Sequence, residues 1–331
     1  MFDLQRRRFI ALFGGAAAAW PLAARAQQPS KLPTIGFLGS QSADAISDYM
    51  RALRQGLKDV GFVEGETVTI EYRWAESQVD RLPMLVADLA RRRPAVIIAG
   101  GGPASMTTAR ATASIPVVFM VAEDPVRLGL VASLARPGGN FTGVNFFSAE
   151  LAAKRLELLR ELVPTAARVA ALINPAEVEV ATANRRDVEA AADTMGLQIR
   201  LLDASTKDEI DAAFATFVDE RPDALFISSG PFFSDRRVQL AHLATHYRIP
   251  TIHGSRLYPQ VGGLISYGAS IADAYRQAGV YAGRILRGAK PAELPVVQSS
   301  RFELVVNTYA AKLLGLALPP SLLARADEVI E

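Results

Sequence analysis

From Lys31 onward, short apolar runs rich in β-branched residues alternate with amphipathic stretches, and that alternation leaves only a few α/β architectures open. Thr34–Leu38, Thr67–Tyr72, Ala95–Ala99 and Val117–Val121 read as strands, with helices over Ala45–Val60, Val79–Arg92 and Pro103–Ala113 between them. In the second helix Leu82, Leu85, Val86 and Leu89 recur at i, i+3, i+4 and i+7, one apolar stripe. Asp80 stands where an N-cap is expected, and the Arg91–Arg93 cluster complements the helix's negative end. Strands that are apolar at nearly every position and joined through helices require a parallel sheet covered on both faces.

The same alternation returns further on. Helices are expected over Lys154–Leu162, Val180–Met195, Lys207–Asp219 and Arg236–His246, with strands at Val169–Ile173, Leu197–Leu202, Ala224–Ser228, Pro250–Ile252 and Leu264–Tyr267. Between the two blocks the run from Arg136-Pro137-Gly138-Gly139-Asn140 to Val144 reads as the passage from one lobe to the next. A long helix over Ile271–Arg287 leads to strands at Val296–Gln298 and Phe302–Asn307. The expected fold class is α/β: two doubly wound, parallel-sheet lobes joined by a hinge that the chain crosses several times. Half the chain is apolar, enough for two cores.

The first residues read as an export signal. Arg6, Arg7 and Arg8 precede Phe9 and Ile10, a weakly apolar run follows to Leu22, and Ala24-Arg25-Ala26 offers a small-residue cleavage site before Gln27. The paired arginines favour the twin-arginine route. The apolar run, about 14 residues, is shorter than the roughly 20 that span a bilayer. Cleavage after Ala26 would leave a periplasmic protein. Four of the 36 basic residues and one of the 34 acidic ones lie in residues 1–26, so the rest of the chain carries a net charge of −1. A near-neutral surface gives no electrostatic reason to expect nucleic acid as a partner.

Several motifs resemble the solute-binding proteins of ABC transporters that share the type I periplasmic-binding fold, in the branch related to tryptophan-binding lipoproteins. They are Asp124-Pro125-Val126 with Gly129-Leu130-Val131, the run Arg136–Gly143, Gly262–Gly268, Tyr281–Pro295 with Gly288-Ala289-Lys290-Pro291, and Phe302–Asn307 through Leu322–Glu331. The resemblance implies a lobe I over residues 31–143 plus about 269–294, a lobe II over 144–268 plus about 295–331, and a ligand cleft between them. It implies a small-molecule ligand, an amino acid or small aromatic carboxylate, passed to an ABC transporter membrane permease by a monomeric protein without a cofactor. Two features depart from the family pattern. There is no cysteine to carry a lipid, and Ser228-Ser229-Gly230-Pro231-Phe232-Phe233 lacks the acidic residue that many relatives carry near Gly230, a group that would receive a ligand amine.

In open α/β sheets ligands lie outside the carboxyl ends of the strands, so candidate site residues follow strands. Ser40 and Gln41 follow the first. Gly102, Pro103, Ala104 and Ser105 follow the third and open a helix whose free N–H groups would favour a carboxylate. Ser105 stands where G-x-G-x-x-G needs its last glycine, which argues against a nucleotide. Asp124 follows the fourth strand as ligand contact or cap; Asn174, Ser229 and Phe232 follow strands of the second block. Phe147 and Tyr267, with Phe146, fall near the crossings and suit a planar or apolar ligand.

His242 and His246, at i and i+4, and His253 raise the question of a metal, but Leu243 replaces the glutamate of H-E-x-x-H. The expectation is no metal. Without cysteine or a G-x-S-x-G serine, and with Asp44/Asp48 and Glu177/Glu179 read as solvated faces, no catalytic residue is assigned. A periplasmic sensor docking to a membrane receptor is the alternative use of the same fold.

Overall fold

The structure of the protein, a computed structural model, describes residues 32–146 and 150–331. The expected export segment, residues 1–26, lies outside the described residues.

The first lobe begins β1 (Thr34–Gly39), α1 (Ser47–Asp59), β2 (Thr69–Trp74), α2 (Leu82–Arg91), β3 (Val96–Gly100), α3 (Gly102–Ala111), β4 (Val117–Val121) and β5 (Phe141–Asn145). The second continues α4 (Glu150–Leu162), β6 (Arg168–Ile173), α5 (Val178–Met195), β7 (Gln198–Asp203), α6 (Lys207–Ala215), α7 (Phe217–Glu220), β8 (Ala224–Ile227), α8 (Pro231–Asp235), α9 (Arg237–His246), β9 (Thr251–His253), α10 (Leu257–Gln260) and β10 (Ile265–Ala269). The chain returns to the first lobe with α11 (Ile271–Leu286) and β11 (Val297–Gln298). It ends in the second with β12 (Phe302–Asn307), α12 (Thr308–Leu314), α13 (Pro320–Arg325) and β13 (Glu328–Ile330).

The first sheet has the order β11-β5-β4-β3-β1-β2, and all its pairings are parallel. The second has the order β13-β12-β10-β9-β8-β6-β7 and is parallel except where β10 meets β12 antiparallel. The expected doubly wound α/β lobes are therefore present, with one antiparallel pairing that the periodicity did not reveal. The strand membership of the first sheet runs through Asn145 and resumes at Val297.

Strand alternation explains why both faces of each sheet are covered. In the first lobe Ile35, Phe37, Val118 and Met120 enter one core, while Leu38, Ile97, Phe119 and Val121 enter another. In the second, Val169, Ala171 and Phe226 face one core, and Ala170, Leu172 and Ile227 the other. Successive side chains of a strand point to opposite faces, so a run without polar breaks must be sandwiched.

Glycine sets one helix contact. A Cβ on Gly56 of α1 would lie 1.9 Å from the Arg276 carbonyl oxygen of α11, and one on Gly279 would lie 2.2 Å from that of Leu53. The two backbones meet where side chains would hold them apart, so α11 covers the first sheet beside α1. The expected caps differ from those observed. Asp80 lies in a 3-10 turn over Val79–Arg81 and makes no capping bond, whereas Thr206 and Glu209 form a reciprocal capping box at α6.

Candidate functional site

The carboxyl ends of the two sheets face each other across a cavity of about 110 Å³. The first lobe contributes Gln41 after β1, Gly101 and Gly102 after β3, and Glu123 after β4, with Tyr49 of α1 and Tyr275 of α11. The second contributes Arg155 of α4, Ser229 and Gly230 after β8, and His253 at the end of β9. Phe146, Leu257 and Ile271 complete an apolar wall, and the Tyr49 and Tyr275 rings lie 5.4 Å apart within it.

Arg155 is 3 % exposed. Its Nε donates to the Tyr267 carbonyl at 2.7 Å and its Nη1 to Ser229 Oγ at 2.9 Å. Both acceptors are neutral, and no carboxylate pairs with the guanidinium among the described residues. Burial lowers its pKa to about 10, which leaves it charged at neutral pH. A buried cation with only neutral acceptors has been taken out of water without compensation, and an anion in the cavity would supply it.

His253 is fully buried, and burial, followed by the nearby Arg155 and Arg237 charges, lowers its pKa to about 3. The ring is neutral, and its Nδ1 accepts the Ser255 N–H at 2.9 Å. The proton therefore sits on Nε2, which has no acceptor among the described residues. Glu123, 8 % exposed, is pushed up to about 7 by burial, opposed by backbone hydrogen bonds at Glu123 and Ala122, and its Oε2 has no hydrogen-bond partner among the described residues.

The lobes touch through polar contacts around this cavity. Gln41 Nε2 donates to Asp235 Oδ1 at 3.2 Å, and Ser77 Oγ donates to Asp235 Oδ2 at 2.5 Å. Arg110 pairs with Glu179 at 2.6 Å, and the Tyr49 and Ser255 hydroxyls are 3.4 Å apart. Burial raises the Asp235 pKa, opposed by its bonds to Ser77 and Gln41.

Of the residues expected from the sequence, the cavity brings together Gln41, Gly102, Phe146 and Ser229. Ser40 accepts the Ala104 N–H at 3.2 Å, a role inside the protein, and Ala104 is fully buried. Pro103 faces a separate groove with Met106 and Val178. Ser105 is also fully buried and donates to the Gly101 carbonyl at 2.8 Å, so it points away from the cleft. The expected carboxylate site at the start of α3 is answered from within: Ser40 takes one free N–H, and a Cβ on Gly102 would sit 3.0 Å from Glu123 Oε2.

Asp124 is exposed and accepts the Val126 and Arg127 N–H groups at 2.9 and 3.4 Å, a turn cap; its neighbour Glu123 faces the cavity. Asn174 is buried and donates to Glu177 Oε1 at 3.0 Å. Phe232 packs in the second lobe's core beside Phe233. Tyr267 contributes its carbonyl to Arg155, while its ring stacks on Phe302 at 6.2 Å. Phe147 lies outside the described residues. His242 and His246 are exposed on α9 whereas His253 is buried, and no cluster suited to a metal occurs among the described residues.

Glu177 overturns its reading as a solvated residue: it is 4 % exposed. Its Oε2 would lie 3.1 Å from a Cβ on Gly230, so a carboxyl occupies the neighbourhood of Gly230 although that position itself is not acidic. Of the lining residues missed, Tyr49, Arg155 and Tyr275 lie on helices, and Glu123 and His253 lie at strand ends. Arg155 carried a readable signal, because it falls four residues after Leu151 and three and four before Leu158 and Leu159, on the apolar stripe of α4. A charged residue on that stripe needs a reason.

Two sandwiched lobes, crossed by the chain between β5 and α4, β10 and α11, and β11 and β12, define the type I periplasmic-binding fold, with a cleft at the facing strand ends. The chain belongs to the family described as ABC transporter substrate binding protein, whose model matches residues 35–330. Among curated relatives it is 24 % identical over 290 residues to a tyrosine-binding protein of Clostridioides difficile, covering 86 % of this chain and 82 % of that one. It is similar to a conserved domain protein from Vibrio cholerae at 24 % identity with a TM-score of 0.84, covering 90 % of this chain and all of that one. An ABC domain from Streptococcus pneumonia in complex with L-Trp matches at 25 % identity and a TM-score of 0.82, over 91 % of this chain and all of the other.

Proposed function

We propose that the protein is the exported, solute-capturing component of an ABC uptake transporter and that it closes on an amino acid or small aromatic carboxylate. The observation that carries this is Arg155, a buried guanidinium that lines the cavity and has no carboxylate partner among the described residues. A ligand carboxylate would complete it, and the His253 Nε2–H stands ready as a second donor. The wall of Tyr49, Tyr275 and Phe146 suits a ring.

Binding between two lobes selects the closed arrangement because the ligand touches both. The closed form would then be what the permease recognises. Export through the twin-arginine route, cleavage after Ala26 and action as a periplasmic monomer belong to the same reading, supported by the N-terminal motif and the family. Among the described residues no helix is long and apolar enough to cross a membrane.

Isothermal titration of the purified protein with L-phenylalanine, L-tyrosine, L-tryptophan, branched amino acids and aromatic acids tests the reading. Saturable binding of one class without turnover is expected, at a micromolar constant that corresponds to about −8 kcal/mol. Absence of binding across the set would reject the ligand class.

A further inference from the structure

The guanidinium of Arg155 lies against a glycine. Helix α4 packs against β8, β9 and β10 and delivers Arg155 to their ends. There Nε donates to the Tyr267 carbonyl of β10, and Nη1 donates to the Ser229 hydroxyl after β8. Gly254, directly after β9, completes the seat and lines the cavity. A Cβ on Gly254 would lie 2.6 Å from Arg155 Nη2 and 2.4 Å from Ser229 Oγ. Side-chain carbons do not approach other atoms so closely, so any residue but glycine would take the space in which the guanidinium lies.

The frame around that space is fixed from several sides. The Gly254 carbonyl is pressed against β10, where a Cβ on Gly268 would lie 1.9 Å from its oxygen. The turn after β9 is held by the Ser255 N–H, which donates to His253 Nδ1 at 2.9 Å, and by the Leu257 N–H, which donates to Ser255 Oγ at 3.3 Å. Ser229 is held through its carbonyl, which accepts Asn184 Nδ2 of α5 at 3.1 Å. Gly254 is not one of the glycines with positive φ, so its backbone accepts an alanine and the methyl alone makes the difference. Of the groups that methyl would meet, the guanidinium ends the longer and more flexible chain, and moving it breaks its bonds to Ser229 and Tyr267.

We propose that Gly254 is the positioning residue of Arg155 and, through it, a determinant of specificity: the missing side chain seats the guanidinium across the ends of β8, β9 and β10 with its charge left for a ligand carboxylate. The specificity half rests on the function proposed above; the seating half does not. In its seat the guanidinium meets a hydroxyl, a carbonyl and a glycine Cα, none of which neutralises it. A carboxylate entering the cavity finds a donor already oriented, so little ordering is needed to form the pair. With alanine at 254 the guanidinium is pushed from the seat into the cavity it lines. The charge remains, but the place where a carboxylate would meet it is lost, and a carboxylate gains less over a neutral group of the same size.

The NMR resonance of the Arg155 Nε–H in the ligand-free protein, identified by its loss in Arg155→Met, reads the seating directly. Buried and bonded to Tyr267, it is expected to exchange slowly with water in the parent. Gly254→Ala should move it and speed its exchange at least about tenfold. Gly139→Ala, whose methyl would meet nothing within 4 Å, should leave it unchanged. Thermal melting shows that each variant is folded; if Gly254→Ala is not, Gly254→Ala/Ser229→Ala, which lacks the collision with Ser229, is compared with Ser229→Ala in the same way. In calorimetry the parent should favour L-tyrosine over L-tyrosinol, its analogue without the carboxylate, at least about tenfold. Gly254→Ala should narrow that preference, mainly by weakening L-tyrosine, and Gly139→Ala should keep it. An Arg155 resonance that Gly254→Ala leaves in place overturns the proposal whatever the ligands do, and so does a preference for the carboxylate that the variant retains in full. If the resonance moves while neither compound binds the parent, the function proposed above fails and the seating half stands.

Discussion

On the function proposed above, ligand choice turns on Arg155. Its fork is held by Tyr267 and Ser229, so a lysine, with one point charge on a flexible stem, would not reproduce it. Arg155→Met keeps the bulk and is expected to leave the protein folded while weakening a carboxylate ligand by about 2–5 kcal/mol, the cost of losing one partner of a buried charge pair; titration calorimetry reads it directly. At this scale the sequence indicated loops better than side chains. The rule of strand ends led to the turn at residues 122–125, but Asp124 is consumed in capping its own turn and Glu123 points inward. Which residue of a turn faces the cleft depends on bonds within the turn, and no periodicity records those. Glu177 was misread for a similar reason: its carboxyl turns in towards Asn174 and Gly230.

Elements were more legible, because apolar period decides them. β1, β3, β4 and β6 fall within a residue or so of their expected bounds. β5 was read as part of the linking run because Gly143 interrupts it. The structure supplies the reason for that glycine: a Cβ there would lie 2.1 Å from the Phe119 carbonyl oxygen of β4. The helices α8 and α10 are too short to show a period. Glycine has a comparable role between α1 and α11. Gly56→Ala would place a methyl on the Arg276 carbonyl, and such overpacking costs about 1–3 kcal/mol. At about 2–4 °C per kcal/mol for a large domain, thermal melting should show a drop of several degrees.

At the scale of the whole molecule, the polar contacts across the cleft set how readily it closes. Ser77 does not line the cavity, yet its hydroxyl reaches Asp235 of the other lobe. Ser77→Ala is therefore expected to weaken ligand by roughly 1 kcal/mol, about fivefold, by lowering the population of the closed form. Stopped-flow measurement should place most of that loss in faster release.

The return of α11 to the first lobe also governs how the protein is made. Tyr275, Ala278 and Ala282 complete a core otherwise built from Ile35, Leu53 and Val118, so that core waits for residues near the far end of the chain. Vectorial synthesis delivers the second lobe's central strands before the first lobe can finish. Until α11 is made, α1 alone covers that apolar sheet face in part, and contacts so distant in sequence form slowly. Ribosome-associated chaperones would find their binding surface on the β1–β4 segment, and a chain truncated before Ile271 would lack the helix that seals it.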